Sequence, residues 1–276
     1  MKLTSADKQL DLALPQIMGI LNVTPDSFSD GGAYAQIDRA VQHAKTMVAQ
    51  GASIIDVGGE STRPGAADVL LAEELDRVLP VIERIRQEVD CWISIDTSKA
   101  AVMAEAVKAG ANIINDVRAL QEPGALQAAV DANVPVCLMH MQGQPRSMQT
   151  APHYEDVIED VKRFLKQRAE LCIKAGIKPA NIIIDLGFGF GKSLAHNFEL
   201  LDATAQFEAL GYPILTGVSR KSMFGQLLDR DVSSRLAGSL AGAMIAMQQG
   251  SKIIRVHDVP ETVDVMKVLQ QLNTFN

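Results

Sequence analysis

Eight short apolar runs punctuate this chain: Ile17–Leu21, Ile54–Val57, Trp92–Ile95, Ile113–Ile114, Val136–Met139, Ile182–Ile184, Ile214–Leu215 and Ile253–Val256. They are rich in Ile and Val and show little alternation, the pattern of parallel strands buried on both faces. Amphipathic stretches lie between them. Ile37, Ala40, Val41, Ala44, Met47 and Val48 follow helical spacing and stop at Gly51, a suitable C-terminal cap. Ser98 is placed to N-cap a helix ending near Gly110, and Val157, Val161, Phe164, Leu165, Leu171 and Cys172 form the stripe of a longer helix. One joint recurs: a helix ends on Gly51, Gly110 or Gly250, small or polar residues follow, and a β-branched pair opens a strand. Eight such units with right-handed crossovers predict an α/β fold, a single-domain (β/α)8 TIM barrel over residues 1–276. Residues 1–14 read as an N-terminal extension and 270–276 as a C-terminal tail. An open doubly wound sheet shares the same unit and is the alternative.

Composition removes several function classes. Hydrophobic residues make up 47% and charged residues 21% of 276, enough for a large core without disulfide or metal staples. The net charge of -7 offers no domain-wide positive field for nucleic acid, but leaves room for a local cationic pocket. Cys91, Cys137 and Cys172 each sit in an apolar stretch and match no metal spacing, so they read as buried thiols in a reducing compartment. The N-terminal stretch has no apolar core of signal-peptide length, and no run of about 18 apolar residues occurs. No membrane span is expected, and the expected location is the cytoplasm.

A barrel of this kind places its chemistry at the C-terminal ends of the strands. The residues there are Asn22, Glu60 to Arg63, Asp96, Asn115 and Asp116, His140, Asp185, Ser219 to Lys221, Arg255 and His257. They sort by type. Arg63, Arg220, Lys221, Arg255 and His257 are cationic, whereas Asp96, Asn115 and Asp185 are acceptors. Such a set holds an anion at one end and a ligand with several N–H donors at the other. Arg255 and His257 stand two apart at a strand end, so they share one side of the sheet as an anion clamp or as a surface ion-pairing set. Two long polar loops, Asn22–Gly32 and Gly58–Ala66, are either ordinary turns or lids over the site.

Other motifs fail. Asp185–Ser193 resembles a phosphate loop, but a Walker A loop needs Gly where Leu186 stands, and the dinucleotide spacing is also absent. It reads equally as a tight turn and as part of a ligand wall. Gly217–Lys221 is not a nucleophile elbow, because Lys221 occupies a Gly position. Of the five histidines, none forms a metal-spaced pair; His43 reads as solvated and His140 as a satisfied core histidine.

Taken together, the motifs resemble one family. GILNVTPDSFSDGG from Gly19, DVGGESTRPGA from Asp56, SIDTSK from Ser94, NDV from Asn115, DLGFGFGK from Asp185, SRKS from Ser219 and RVHDV from Arg255 are similar, in order, to the signatures of the dihydropteroate synthases. The resemblance spans about Ile17 to His257. It implies condensation of a dihydropterin methyl diphosphate with 4-aminobenzoate. It further implies that Asp96, Asn115, Asp185 and Lys221 bind the pterin, and that Asn22, Arg255 and His257 hold the diphosphate, with Asn22 also a ligand to Mg2+. Thr62, Arg63, Pro64, Phe190, Ser219 and Lys221 would form the aminobenzoate site, with Phe28 close by. Asp96, Asp185, Lys221, Arg255 and His257 would act in the reaction itself. A homodimer and inhibition by sulfonamides are implied as well. Leu186 departs from the family's usual Pro, which would restrict Asp185. A corrinoid-linked pterin methyltransferase, which needs no diphosphate clamp, and a non-catalytic pterin-binding protein are the alternatives.

Overall fold

The computed structural model describes residues 1–6, 8–24, 33–61, 68–143, 148 and 152–273. A hairpin, β1 (Lys2–Ser5) and β2 (Lys8–Asp11), precedes eight parallel strands: β3 (Gln16–Asn22), β4 (Ile54–Gly58), β5 (Trp92–Asp96), β6 (Ile113–Asp116), β7 (Val136–Met139), β8 (Ile182–Asp185), β9 (Ile214–Thr216) and β10 (Ile253–Val256). They close in the order β10-β3-β4-β5-β6-β7-β8-β9. All eight apolar runs are therefore barrel strands, and the closed barrel replaces the open-sheet alternative. Helices α1 (Ala33–Ala49), α2 (Leu71–Glu88), α3 (Ala100–Ala109), α4 (Ala125–Ala132), α5 (Val157–Ala175), α6 (Leu194–Asp202), α7 (Ser222–Leu228), α8 (Leu236–Gln248) and α9 (Val259–Asn273) surround it.

Side-chain parity explains why the runs do not alternate. Ile17, Leu21, Ile55, Val57, Ile93, Ile95, Ile114, Val136, Leu138, Ile184, Ile254 and Val256 point outward and pack under the helices. Met18, Ile54, Trp92, Ile113, Cys137, Ile183, Leu215 and Ile253 point inward. Leu3, Leu10 and Leu12 join this inner layer, so the hairpin plugs the N-terminal end of the barrel. The stretch that reads as an extension is thus part of the core. Its short strands, KLTS and KQLD, alternate exposed and buried positions over too few residues to register as a run. At the other terminus, α9 takes in much of what reads as a tail.

The helix caps behave largely as the sequence predicts. Gly51 and Gly110 adopt φ of +109° and +119° after α1 and α3. Ser98 does not cap α3. Its hydroxyl donates to Asp116, and Lys99 occupies the N-cap without a side-chain bond. The small residues of α8 pack inward: a Cβ on Gly238 or Gly242 would meet the Phe224 ring at 2.9 and 2.6 Å. The three cysteines are buried and free.

Candidate active site

Two residues above the apolar inner layer, the same inward face turns polar: Asp56, Ser94, Asn115, Asp185 and Arg255 occupy equivalent positions on their strands. One step further, Asn22, Gly58 and Asp96 lie in register at the mouth. Asp56, Asn115, Asp96 and Asp185 are all buried.

Arg255 is the hub. Its Nε donates to Asp56 Oδ2 at 2.6 Å, and its Nη2 donates to Asp96 Oδ2 at 2.7 Å. Asn115 Nδ2 donates to both oxygens of Asp56, at 3.4 and 3.3 Å. Burial pushes the Asp96 carboxyl up to about 7, against the pull of Arg255 and with the help of Asp56. Asp185 is also raised by burial, an effect opposed by the Gly187 N–H that donates to its Oδ1 at 2.7 Å and by the charges of Lys221, Arg255 and Lys192. Lys221 is half-buried, is pushed down to about 8 by desolvation, and stands 4.2 Å from the centroid of the Phe190 ring. Ser219 Oγ lies 3.1 Å from His257 Nδ1 and accepts the His257 backbone N–H at 3.2 Å.

The structure thus brings Asn22, Asp96, Asn115, Asp185, Phe190, Ser219, Lys221, Arg255 and His257 to the C-terminal end of one barrel. Thr62, Arg63 and Pro64, together with Phe28, lie outside the described residues. Three expectations change. The cationic and acceptor groups are interleaved rather than sorted into two poles, because each buried acid needs a base within reach. Arg220 leaves the site: with φ of +57°, it turns outward and pairs with Asp258. A Ser–His contact exists at Ser219 and His257, in the stretch that fails as a nucleophile elbow, although the hydroxyl also accepts the backbone N–H of His257 just past β10. His140 is buried as expected, edge-on to Phe164 with ring centroids 5.0 Å apart.

Sequence reasoning missed two groups. Asp56 sits inside an apolar run, in phase with inward-facing Ile54. A charge in a strand covered on both faces demands a partner, and that signal was available. Lys192 was passed over because its glycine-rich run fails as a phosphate loop, yet it is 2% exposed and closes the turn after β8.

The donor set offers oxygen ligands of the kind a hard cation takes. No described residue hydrogen-bonds the Asn22 side chain. Its Oδ1 and Asp96 Oδ2 lie 3.7 and 3.8 Å from a single point, the place a Cβ on Gly58 would take. Among the described residues no cluster of three His, Cys, Asp or Glu is arranged to hold a metal. The Asn22 amide oxygen is of the type that a hard cation such as Mg2+ takes as a ligand.

The pterin binding enzyme family matches residues 18–257 of the chain. The chain belongs to that family. A dihydropteroate synthase of Haemophilus influenzae is 57% identical over 270 residues, covering 98% of each chain, and that of Escherichia coli K12 is 56% identical over 270 residues, covering 98% of this chain and 96% of the other. A Yersinia pestis dihydropteroate synthase in a sulfonamide drug complex superposes with a TM-score of 0.95 at 55% identity, over 99% of this chain and 100% of that one. A Xanthomonas albilineans enzyme with 4-aminobenzoic acid superposes at 0.93 and 48% identity, over 99% and 98%. No helix among the described residues is long and apolar enough to cross a membrane.

Proposed function

We infer that this family member is a dihydropteroate synthase: a transferase that joins the methylene of a dihydropterin methyl diphosphate to the amine of 4-aminobenzoate and releases diphosphate. The observation that carries the reading is the convergence of Asp96, Asn115, Asp185, Lys221 and Arg255 on one mouth, in a chain 57% identical over nearly its full length to a dihydropteroate synthase.

The residues divide the work by charge. The pyrimidine-like edge of a pterin presents N–H donors, and Asp96, Asn115 and Asp185 offer acceptors to it. Lys221 donates to the ring carbonyl or ring nitrogen, steadied over the Phe190 face. Arg255 and His257 hold the diphosphate, and Asn22 would hold a Mg2+ ion beside it. A bound Mg2+ would supply positive charge to the leaving oxygens. As the methylene–oxygen bond breaks, positive charge spreads into the ring, where Asp96 and Asp185 stabilise it through preorganised fields. The aromatic amine is neutral near pH 7 and attacks without a strong base. The amine site draws on Thr62, Arg63, Pro64, Phe190, Ser219 and Lys221, and the loops after β3 and β4 exclude water.

The working unit is a homodimer in the cytoplasm, with residues 1–276 acting as one domain. Leu227, Leu228, Val232, Leu236 and Ile245 are exposed on and around α7 and α8, and such a patch supports a partner face. Light scattering after gel filtration tests it. The reaction is tested by following diphosphate release with and without 4-aminobenzoate, then adding a sulfonamide. Release that depends on the amine and is suppressed competitively by the sulfonamide is the expected result. Amine-independent release, or methyl transfer to a corrinoid instead, refutes the assignment.

A further inference from the structure

The turn after β8 contains a lysine that the reaction above does not use. Lys192 Nζ is buried and donates to Gly187 O at 2.9 Å, Phe190 O at 3.2 Å and His140 O at 3.4 Å, and it lies 3.0 Å from His140 Nδ1. Its bonded neighbours are three carbonyls and an imidazole. None is a carboxylate, so the ammonium has no counterion in contact. Burying such a group is costly, and a chain that needed only a turn would use glycines and backbone bonds.

The turn itself shows what the ammonium holds. Gly187, Gly189 and Gly191 have φ of +69°, +79° and +66°, and the turn they shape presents the Gly187 and Phe190 carbonyls, with that of His140, to Lys192. Asn197 Oδ1 accepts from Gly189 N at 2.7 Å and Tyr154 Oη donates to Gly191 O at 2.8 Å, which fixes the outer side. The turn carries two groups of the site: the Gly187 N–H on Asp185 Oδ1, and the Phe190 ring under Lys221.

The charged and titratable groups acting at this end of the barrel are the acids Asp56, Asp96, Asp116, Glu74 and Asp185 and the bases Arg255 and Lys221, with His257 at the mouth and His140 behind the turn. Lys192 adds a further positive charge to this acid-rich set.

We propose that Lys192 is a positioning residue of the pterin site: seated in the carbonyls of Gly187, Phe190 and His140, it holds the turn that aims Asp185 and Phe190, and it brings a positive charge to that turn. This rests on the pterin reading of the same site. The field of Lys192 acts on Asp185 in the lowering direction. Desolvation pushes Lys192 itself down to about 7.

The test compares wild type, Lys192→Met and Lys192→Gln in kcat and in KM for each substrate, from pH 5 to 9. Lys192→Met is expected to lose roughly tenfold or more in kcat/KM for the pterin diphosphate, with its acid limb moved upward by about half a pH unit or more, because Asp185 then holds its proton longer. Lys192→Gln, which keeps one donor for the carbonyls, recovers part of the KM but keeps the displaced limb. A purely structural lysine gives lower thermal stability with wild-type KM values and an unmoved limb, and that result overturns the proposal. Should neither variant fold, ε-13C lysine spectra of the wild-type enzyme decide. A signal titrating near pH 7 that moves when the pterin product binds supports it, and one that stays put refutes it. Wild-type enzyme without amine-dependent diphosphate release defeats the functional reading instead, so the two failures are separable.

Discussion

Asp56→Asn is the most informative single change, because Asp56 acts on the site through its direct bonds to Arg255 and Asn115. The substitution keeps the volume and leaves one carbonyl oxygen to accept from Arg255 Nε, now 2.6 Å from Oδ2. It removes the charge of one buried, charge-assisted bond and the bidentate acceptance from Asn115 Nδ2 at 3.3 and 3.4 Å. A bond of this kind contributes about 1.5–3 kcal/mol. Arg255 retains Asp96 at 2.7 Å, so the loss stays below the ~3–5 kcal/mol of a fully orphaned buried charge. At about 2 °C per kcal/mol for a chain of this length, the thermal midpoint falls by roughly 3–6 °C. Arg255 then leans on Asp96 alone and Asn115 loses its anchor. If about 1.4 kcal/mol of the loss falls on the bound geometry, kcat/KM for the pterin diphosphate drops about tenfold. Thermal scans and steady-state rates on the same preparation measure both. An Asp56→Asn enzyme with an unchanged midpoint and unchanged kcat/KM refutes the view that the polar layer sets the position of Arg255.

Further outcomes follow from the same contacts. Asp185→Asn keeps the shape of the ring-facing acceptor but not its charge, and the rate falls by about a hundredfold or more; a near-normal kcat removes Asp185 from the chemistry. Gly187→Ala sets a methyl carbon 1.8 Å from the His140 carbonyl oxygen at φ of +69°, so a loss of about 3 kcal/mol or more is expected in urea unfolding, and a mild effect contradicts the tight turn. Between about pH 7 and 10.5 the unfolded chain keeps the Lys192 proton while the folded chain releases it, so wild-type stability rises with pH across that window relative to Lys192→Met; parallel stability curves would show that burial does not depress this lysine.

How far the sequence reaches depends on the range of the interaction being read. The barrel strands are legible because both of their faces are buried, and the runs then need no knowledge of partners. The β1–β2 hairpin is not, because Leu3, Leu10 and Leu12 become core only when the barrel floor exists to receive them. Site residues at strand ends are legible as positions, since the fold class fixes which end carries chemistry. Their pairing is not. That Arg255 binds Asp56 and Asp96, 199 and 159 residues away, depends on strand order and register around a closed ring. Arg220 illustrates the converse: adjacent to Lys221 in sequence, it is turned to the surface by a single left-handed residue. Ser98 was a reasonable cap by local rules and lost to a tertiary partner, Asp116.

The layering of the barrel interior accounts for the coexistence of a stable fold with an uncomfortable set of charges. The lower inward layer and the hairpin leucines form a dry plug, and the outward residues pack under the helices, so neither depends on the mouth. The mouth can then hold acids pushed upward and amines pushed downward without threatening closure of the ring. Interleaving these groups keeps each one within the field of an opposite charge, which lowers the cost of burying them before any ligand arrives. The same arrangement fits a reaction whose difficulty is charge separation rather than proton abstraction: the leaving group departs negative, the ring is left positive, and carboxylates and cations are fixed in advance. Polar groups held this way do not reorganise as charge moves, and that fixed field, more than any nucleophile, is what the sequence builds at the open end of the ring.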